Sequence, residues 1–243
     1  MEDTVEPGGG HKQAAIVIYE KNKWLMRLMN AWAAATIIIG YALTGIPLFA
    51  LMGGVVTIIT GLRVKGAVAK KQLEWQLREN GYEVSMYRNN QGERWSSIFE
   101  ALNQNAGPET TTLLVYMGHG DKNEYGSSIF LENSVIRDDN FLWQFNSIPG
   151  KKVAAISSCQ AGGFAENARQ HDGNGELLVF TSSDDKIQRS YGPFLSVLRR
   201  ALRSNNSAYN EFSHPGRMLR LKAPVTGYKP QVFCGSKMRT VRL

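Results

Sequence analysis

Two short apolar runs, each closing on a compact polar turn, limit what this chain can fold into more than any other feature. The first is Leu113-Leu114-Val115-Tyr116-Met117, which runs into Gly118-His119-Gly120. The second is Val153-Ala154-Ala155-Ile156, which runs into Ser157-Ser158-Cys159-Gln160-Ala161-Gly162-Gly163. Four to six consecutive apolar residues bounded by turn signals read as a strand buried on both faces. Such strands belong in a parallel sheet covered by helices, and sites in those sheets gather at the carboxyl ends of the strands. A histidine and a cysteine, each just past the end of such a strand, are therefore placed to meet at one sheet edge.

The rest of the chain alternates in the same manner. Ala14–Tyr19 reads as a first buried strand, and residues 66–80 as a helix with Val68, Leu73, Trp75 and Leu77 on its apolar side. Residues 82–87 alternate as a strand. Trp95, Ile98, Phe99 and Leu102 recur at helical spacing. A small hairpin is expected over 127–136, then a helix capped by Asp138 that carries Phe141, Leu142 and Phe145. Residues 176–181 form a further strand, 192–203 a helix and 231–234 a last strand. Strands alternating with helices predict an α/β fold with a mostly parallel sheet and right-handed crossovers.

One segment does not fit a soluble α/β pattern. From Leu28 to Leu62 there is no Asp, Glu, Lys or Arg, a length that makes a membrane candidate. Thr44-Gly45-Ile46-Pro47 divides it, and Pro47 is suited to the first position of a second helix. Lys21, Lys23 and Arg27 precede the segment and Arg63, Lys65, Lys70 and Lys71 follow it. Positive residues at both ends predict a hairpin with both ends on the cytoplasmic side. An even number of crossings also returns the chain to the side where its first strand lies. The second helix, at ~24 Å for 1.5 Å per residue, falls short of a ~30 Å hydrocarbon core, which fits a re-entrant or thinning hairpin as well as a full span. The competing reading is a buried helical hairpin in a soluble oligomer. The expected organisation is thus a flexible tail over 1–13, the first strand in 14–23, an inserted hydrophobic helical hairpin over 24–63 and the remaining domain over 64–243. In the tail, acids come before any apolar run, so no signal peptide is expected.

A thiol beside an imidazole is the minimum equipment for nucleophilic acyl transfer. The thiolate attacks, and His119 serves to take its proton and to return one to the leaving amine. Backbone amides at Gly120 and Cys159 are placed to face a developing oxyanion. In this arrangement the chain resembles the caspase-like cysteine peptidases, the group of caspases, metacaspases and legumains. The pieces that carry the resemblance are Tyr116-Met117-Gly118-His119-Gly120 and Ser158-Cys159-Gln160-Ala161-Gly162, each after a strand. Thr181-Ser182-Ser183-Asp184, Ser190, Gly192-Pro193-Phe194 and Lys229-Pro230-Gln231-Val232 agree with them. The resemblance covers about residues 14–19 and 66–235. It implies a caspase-like sheet flanked by helices, cleavage of proteins or peptides, a His119–Cys159 dyad, and an oxyanion hole from Gly120 and Cys159. It places Ser157, Asp184, Asp185 and Ser190 at the substrate. One departure stands out: metacaspases and legumains carry an acid two residues before the cysteine, where this chain has Ser157. Asp184 or Asp185 is then the candidate for the missing charge.

Charge and cysteine content narrow the partners. The net charge is +7, and from Arg199 onward ten Lys or Arg stand against the single acid Glu211, an end suited to anionic lipid or to plain solvation. No aromatic-rich RNA motif accompanies it, so nucleic acid is not expected. Two cysteines, Cys159 and Cys234, argue against a disulfide scaffold, and no spacing matches a zinc site. No Gly-rich phosphate loop follows the first strand, and neither cofactor nor metal is called for. Taken together, these features predict a membrane-associated cysteine endopeptidase with a cytoplasmic catalytic domain. Its rival is an inactive scaffold on the same fold, for which Ser157 in place of an acid is the best support.

Overall fold

The computed structural model describes residues 13–19, 70–89, 95–131, 133–184, 191–214 and 230–243. The chain divides into two compact units, one over 21–74 and the other comprising the rest. The fold described below is that of the larger unit. The expected hairpin over 24–63 lies outside the described residues, as does the expected tail apart from Gln13, which opens the first strand. Among the described residues, no helix is long and apolar enough to cross a membrane.

Six strands form the main sheet. They are β1 (Gln13–Tyr19), β2 (Tyr82–Arg88), β3 (Thr111–Met117), β7 (Lys151–Ser157), β8 (Leu177–Thr181) and β9 (Gln231–Cys234), in the order β2-β1-β3-β7-β8-β9. Every neighbouring pair is parallel except β8–β9, which is antiparallel. A second, three-stranded antiparallel sheet consists of β4 (Gly120–Asn123), β5 (Gly126–Leu131) and β6 (Ser134–Arg137). The expected hairpin over 127–136 is the β5–β6 half of it. Strand β4, directly after His119, is polar (Gly-Asp-Lys-Asn) and carries no hydrophobic alternation by which to be recognised.

The helices are α1 (70–79, of which 75–79 belong to the larger unit), α2 (Trp95–Gln104), α3 (Asp138–Ser147), α4 (Gly162–His171), α5 (Tyr191–Ala201) and α6 (Ala208–Ser213). Alternation along each strand sends side chains to two covered faces. On one face Ile16, Ile18, Leu114, Tyr116, Ala154, Ile156 and Val179 join one core cluster with Ile98, Phe141, Phe145 and Phe164 from α2, α3 and α4. On the other, Phe180 stacks on Phe194 of α5 and Phe212 of α6, with centroids 5.3 and 4.3 Å apart. Burial of each such side chain contributes about 1.5–3 kcal/mol, and burial on both faces accounts for the unbroken apolar runs over residues 113–117 in β3, 153–156 in β7 and 177–180 in β8.

Three local expectations are corrected. Trp75, assigned to the apolar side of its helix, is 58% exposed, while Gln76 and Leu77 are buried; the apolar side is one residue round from where Trp75 placed it. Asp138 does not cap α3 from outside, since it is the first helical residue and Arg137 holds the cap position without a side-chain bond. The Asp138 carboxylate instead accepts from the Ser127 amide (2.9 Å) and the Asp139 amide (2.9 Å), tying α3 to β5. Cys234, whose place in the expected last strand predicts a core residue, is only partly buried, because β9 is an edge strand.

At the amino-terminal end of β7, the side chain of Lys152 is wholly enclosed. Its ammonium donates to the carbonyls of Gly150 (2.7 Å) and Ile148 (3.1 Å), and Glu176 Oε2 lies 3.8 Å away. Burial pushes its pKa down, and the charge of Glu176 opposes that. Lys237 reaches the other oxygen of Glu176 at 3.1 Å. The stem is packed and the head is hydrogen-bonded, so removing only the head strands two buried carbonyls. The Lys152→Met substitution is expected to lower unfolding stability by about 2–4 kcal/mol, read as a shift in the urea midpoint. A midpoint equal to that of the parent protein would show that the ammonium is dispensable.

Candidate active site

The site begins with the pairing of β3 and β7. The two are adjacent and parallel, with Met117 opposite Ser157. The ladder continues one step further, as the Gly118 amide donates to the Ser157 carbonyl at 3.1 Å. His119 and Cys159 each lie two residues beyond that matched pair, on neighbouring strands at one edge of the sheet. His119 is exposed and Cys159 is partly exposed with a free thiol.

The two turns touch. A Cβ placed on Gly120 would lie 2.6 Å from Ser158 Oγ, 2.8 Å from Ser158 Cβ and 2.6 Å from the Ser128 carbonyl. Only glycine lets the chain after His119 pass this close to the residue before Cys159.

Each turn is braced by side chains. The Tyr116 hydroxyl lies 2.7 Å from both the His119 and Phe130 carbonyls, sharing its one proton between them. The Phe130 amide donates to the His119 carbonyl at 3.1 Å. The backbone of His119 is therefore held from β3 and from β5. On the cysteine side, Gln160 adopts φ 51°, a left-handed conformation costing a non-glycine residue about 1–2 kcal/mol. Its side-chain oxygen accepts from the Lys122 amide (3.0 Å), and its carbonyl accepts from Ser127 Oγ (2.7 Å). Two such bonds, at about 1 kcal/mol each, offset that strain. Ser127 Oγ also accepts from the Gly163 amide at 3.2 Å. On the near side of Cys159, Ser183 Oγ donates to the Ser158 carbonyl (2.8 Å) and accepts from the Ala161 amide (3.2 Å). Cys159 is thus fixed between Ser158, held from the end of β8, and Gln160, held from the small sheet.

The other sequence-predicted site residues fare differently. Ser157 is fully enclosed, and its hydroxyl has no hydrogen-bond partner among the described residues. It offers no surface to a substrate in this conformation. The hydroxyls of Ser158 and Ser182 are also buried and, among the described residues, unpartnered. Asp184 is partly exposed and follows Ser183, the residue that braces the cysteine turn. Asp185 and Ser190 lie outside the described residues. Tyr116, Ser127, Gln160 and Ser183 escaped sequence reasoning as positioning residues. Their partners lie 3 to 38 positions away and carry no common spacing.

Comparison with known proteins adds the fold. No family model matches this sequence. No curated protein matches it either. Among solved structures it is similar to caspase-1 from Spodoptera frugiperda, with a TM-score of 0.57 at 15% identity over 96% of this chain and 89% of that one. It is also similar to protein GSU0716 from Geobacter sulfurreducens, with a TM-score of 0.53 at 13% identity over 72% of this chain and 86% of that one. At these identities the likeness is one of fold. The chain has a caspase-like α/β fold.

The contact between the two turns has a direct consequence. In Gly120→Ala the new methyl meets the Ser128 backbone carbonyl, which no rotamer change relieves. Stability is expected to fall by about 1–3 kcal/mol, measured by denaturant unfolding. A parent-like midpoint would mean that the His119 and Cys159 turns do not abut.

Proposed function

We propose that this chain is a cysteine endopeptidase that acts through His119 and Cys159. The observation that carries the reading is the abutment of Gly120 on Ser158, which draws together the two turns that bear the imidazole and the thiol. His119 takes the thiol proton, and the Cys159 sulfur attacks the scissile carbonyl carbon. The tetrahedral oxyanion is held by the amides of Gly120 and Cys159. His119 passes the proton to the departing amine as the C–N bond breaks, leaving a thioester that water then hydrolyses. The bracing by Tyr116, Ser127 and Ser183 supports this role, because a nucleophile must be held within a fraction of an ångström of its productive position.

Substrates are proteins or peptides. With Ser157 enclosed, the candidate acid is Asp184, which directly follows the Ser183 that braces the cysteine turn, or its neighbour Asp185, and a basic residue before the scissile bond is the preference either acid favours. The hairpin over 24–63 tethers the domain to a membrane with its catalytic part in the cytoplasm, and substrates close to that membrane are favoured. A second reading, an inactive regulatory scaffold on the same fold, is favoured by one observation: Ser157, which stands where the metacaspases and legumains that this sequence resembles carry an acid, has its hydroxyl sealed from solvent.

The chemistry is tested on the full chain in detergent against a peptide library. Cys159→Ala and His119→Ala are each expected to lower kcat/KM by about 10³-fold or more. A thiol-directed peptide electrophile is expected to label Cys159 in a His119-dependent manner. Cys234, whose thiol burial pushes up in pKa, should label slowly at neutral pH. Equal cleavage by Cys159→Ala would remove the peptidase reading; folded protein with no cleavage and no His119-dependent labelling would establish the scaffold.

The tether is tested by alkaline extraction of membranes from expressing cells and by a cysteine introduced at Thr44. Retention in the pellet, with Thr44→Cys shielded from an impermeant maleimide applied on the cytoplasmic side, is expected. Release by alkali would place the hairpin in a soluble assembly.

A further inference from the structure

A second feature lies apart from the candidate active site. Arg199 and Arg200 on α5, Arg203 just beyond it, and Ser196 and Ser204 line an open concavity of about 400 Å³. No carboxylate among the described residues lines it. Arg199 in the last turn of α5 and Arg203 in the turn that follows it both line the concavity, and like charges set this close repel.

Two of the three guanidinium groups are already fixed. Arg199 Nε donates to the side-chain oxygen of Gln76 at 3.2 Å, and Gln76 is 2% exposed. Arg200 Nε is bonded to the carboxylate of Glu211, which is 7% exposed. Arg200 Nη2 reaches the carbonyls of Glu211 (3.2 Å) and His214 (3.1 Å). Buried partners therefore hold both groups before any ligand arrives, which removes part of the ordering cost of binding. Arg203 is exposed and makes no ion pair among the described residues. Glu211 balances Arg200, so among the described residues two positive charges are left without a counter-charge.

We propose that this concavity binds a phosphomonoester group. Such a group carries between one and a half and two negative charges at neutral pH, which matches the two uncompensated arginines. Its oxygens accept the paired N–H donors of a guanidinium fork. The group belongs either to a soluble phosphorylated molecule or to the headgroup of an anionic lipid.

The test uses the full chain in neutral detergent and isothermal titration with three probes. These are inorganic phosphate, dioctanoyl phosphatidic acid and dioctanoyl phosphatidylcholine. One saturable site is expected for phosphate, for phosphatidic acid or for both, and none for phosphatidylcholine. Phosphatidic acid binding far more tightly than phosphate assigns the lipid source; similar affinities assign the soluble one. Arg203→Glu, at an exposed position that folding tolerates, is expected to weaken binding about tenfold or more. Arg199→Lys, which keeps the charge and loses the fork, should weaken it by a smaller factor. Arg242→Gln, on the same basic end but outside the concavity, should leave binding unchanged. The proposal is overturned if no phosphate probe saturates, if Arg203→Glu binds like the parent, or if Arg242→Gln weakens binding as much as Arg203→Glu.

Discussion

The parallel pairing of β3 with β7 is the constraint on which the candidate site depends. Parallel strands deliver their carboxyl ends to the same edge, so whatever follows Met117 and whatever follows Ser157 must emerge side by side. The register is specified strongly. Both strands are buried on both faces, and a shift of one residue would exchange every side chain between two differently shaped helix layers. Tyr116 shows what the register secures. Its ring belongs to the core beneath α2, α3 and α4, while its hydroxyl reaches up to the backbone of His119 and Phe130. One side chain thus joins the packing of the sheet to the position of the imidazole-bearing turn.

The small sheet extends this control to the thiol. Ser127 on β5 receives the Gly163 amide at the start of α4 and donates to the Gln160 carbonyl, while its own amide is taken by Asp138 at the start of α3. Three elements distant in sequence converge within a few ångströms of the cysteine turn. Gly163 is required there, because a Cβ would sit 2.5 Å from Ser127 Oγ and 2.6 Å from an Asp138 oxygen. The conformation of Gln160 and the hydroxyls of Ser157, Ser158 and Ser182, unpartnered among the described residues, are local costs, the latter about 1–3 kcal/mol for each unsatisfied group. They gather at the sheet edge that holds the candidate site, which is where folded chains characteristically store strain.

The opposite end of β7 shows a different use of polar residues. Lys152, Glu176 and Lys237 form a linked set with backbone carbonyls, and Asp172 at the end of α4 faces backbone amides of the loop before β8. Its carboxyl is pushed up in pKa by burial, against the pull of those amides and of Lys152. These groups tie the starts of β7 and β8 together. The sheet therefore has one end anchored by enclosed charge and another where turns of small residues hold a thiol near the surface.

The sequence by itself determined the alternating order of strands and helices, the two apolar strands, and the position of His119 and Cys159 just past their ends. Buried strands and amphipathic helices announce themselves through the spacing of apolar residues, and that spacing is a property of contiguous chain. It did not determine strand β4, whose polar residues have no burial pattern, nor helix α6, whose six residues are too few for a period to emerge. It misjudged Trp75, since a large apolar side chain on a helix carries no label saying which side is covered. Only the tertiary structure decided that Ser157 is sealed away, that Gly120 lies against Ser158, and that Tyr116, Ser127 and Ser183 hold the two turns. Those facts depend on distances between segments far apart in the chain, and such distances exist only once the sheet has brought the segments together.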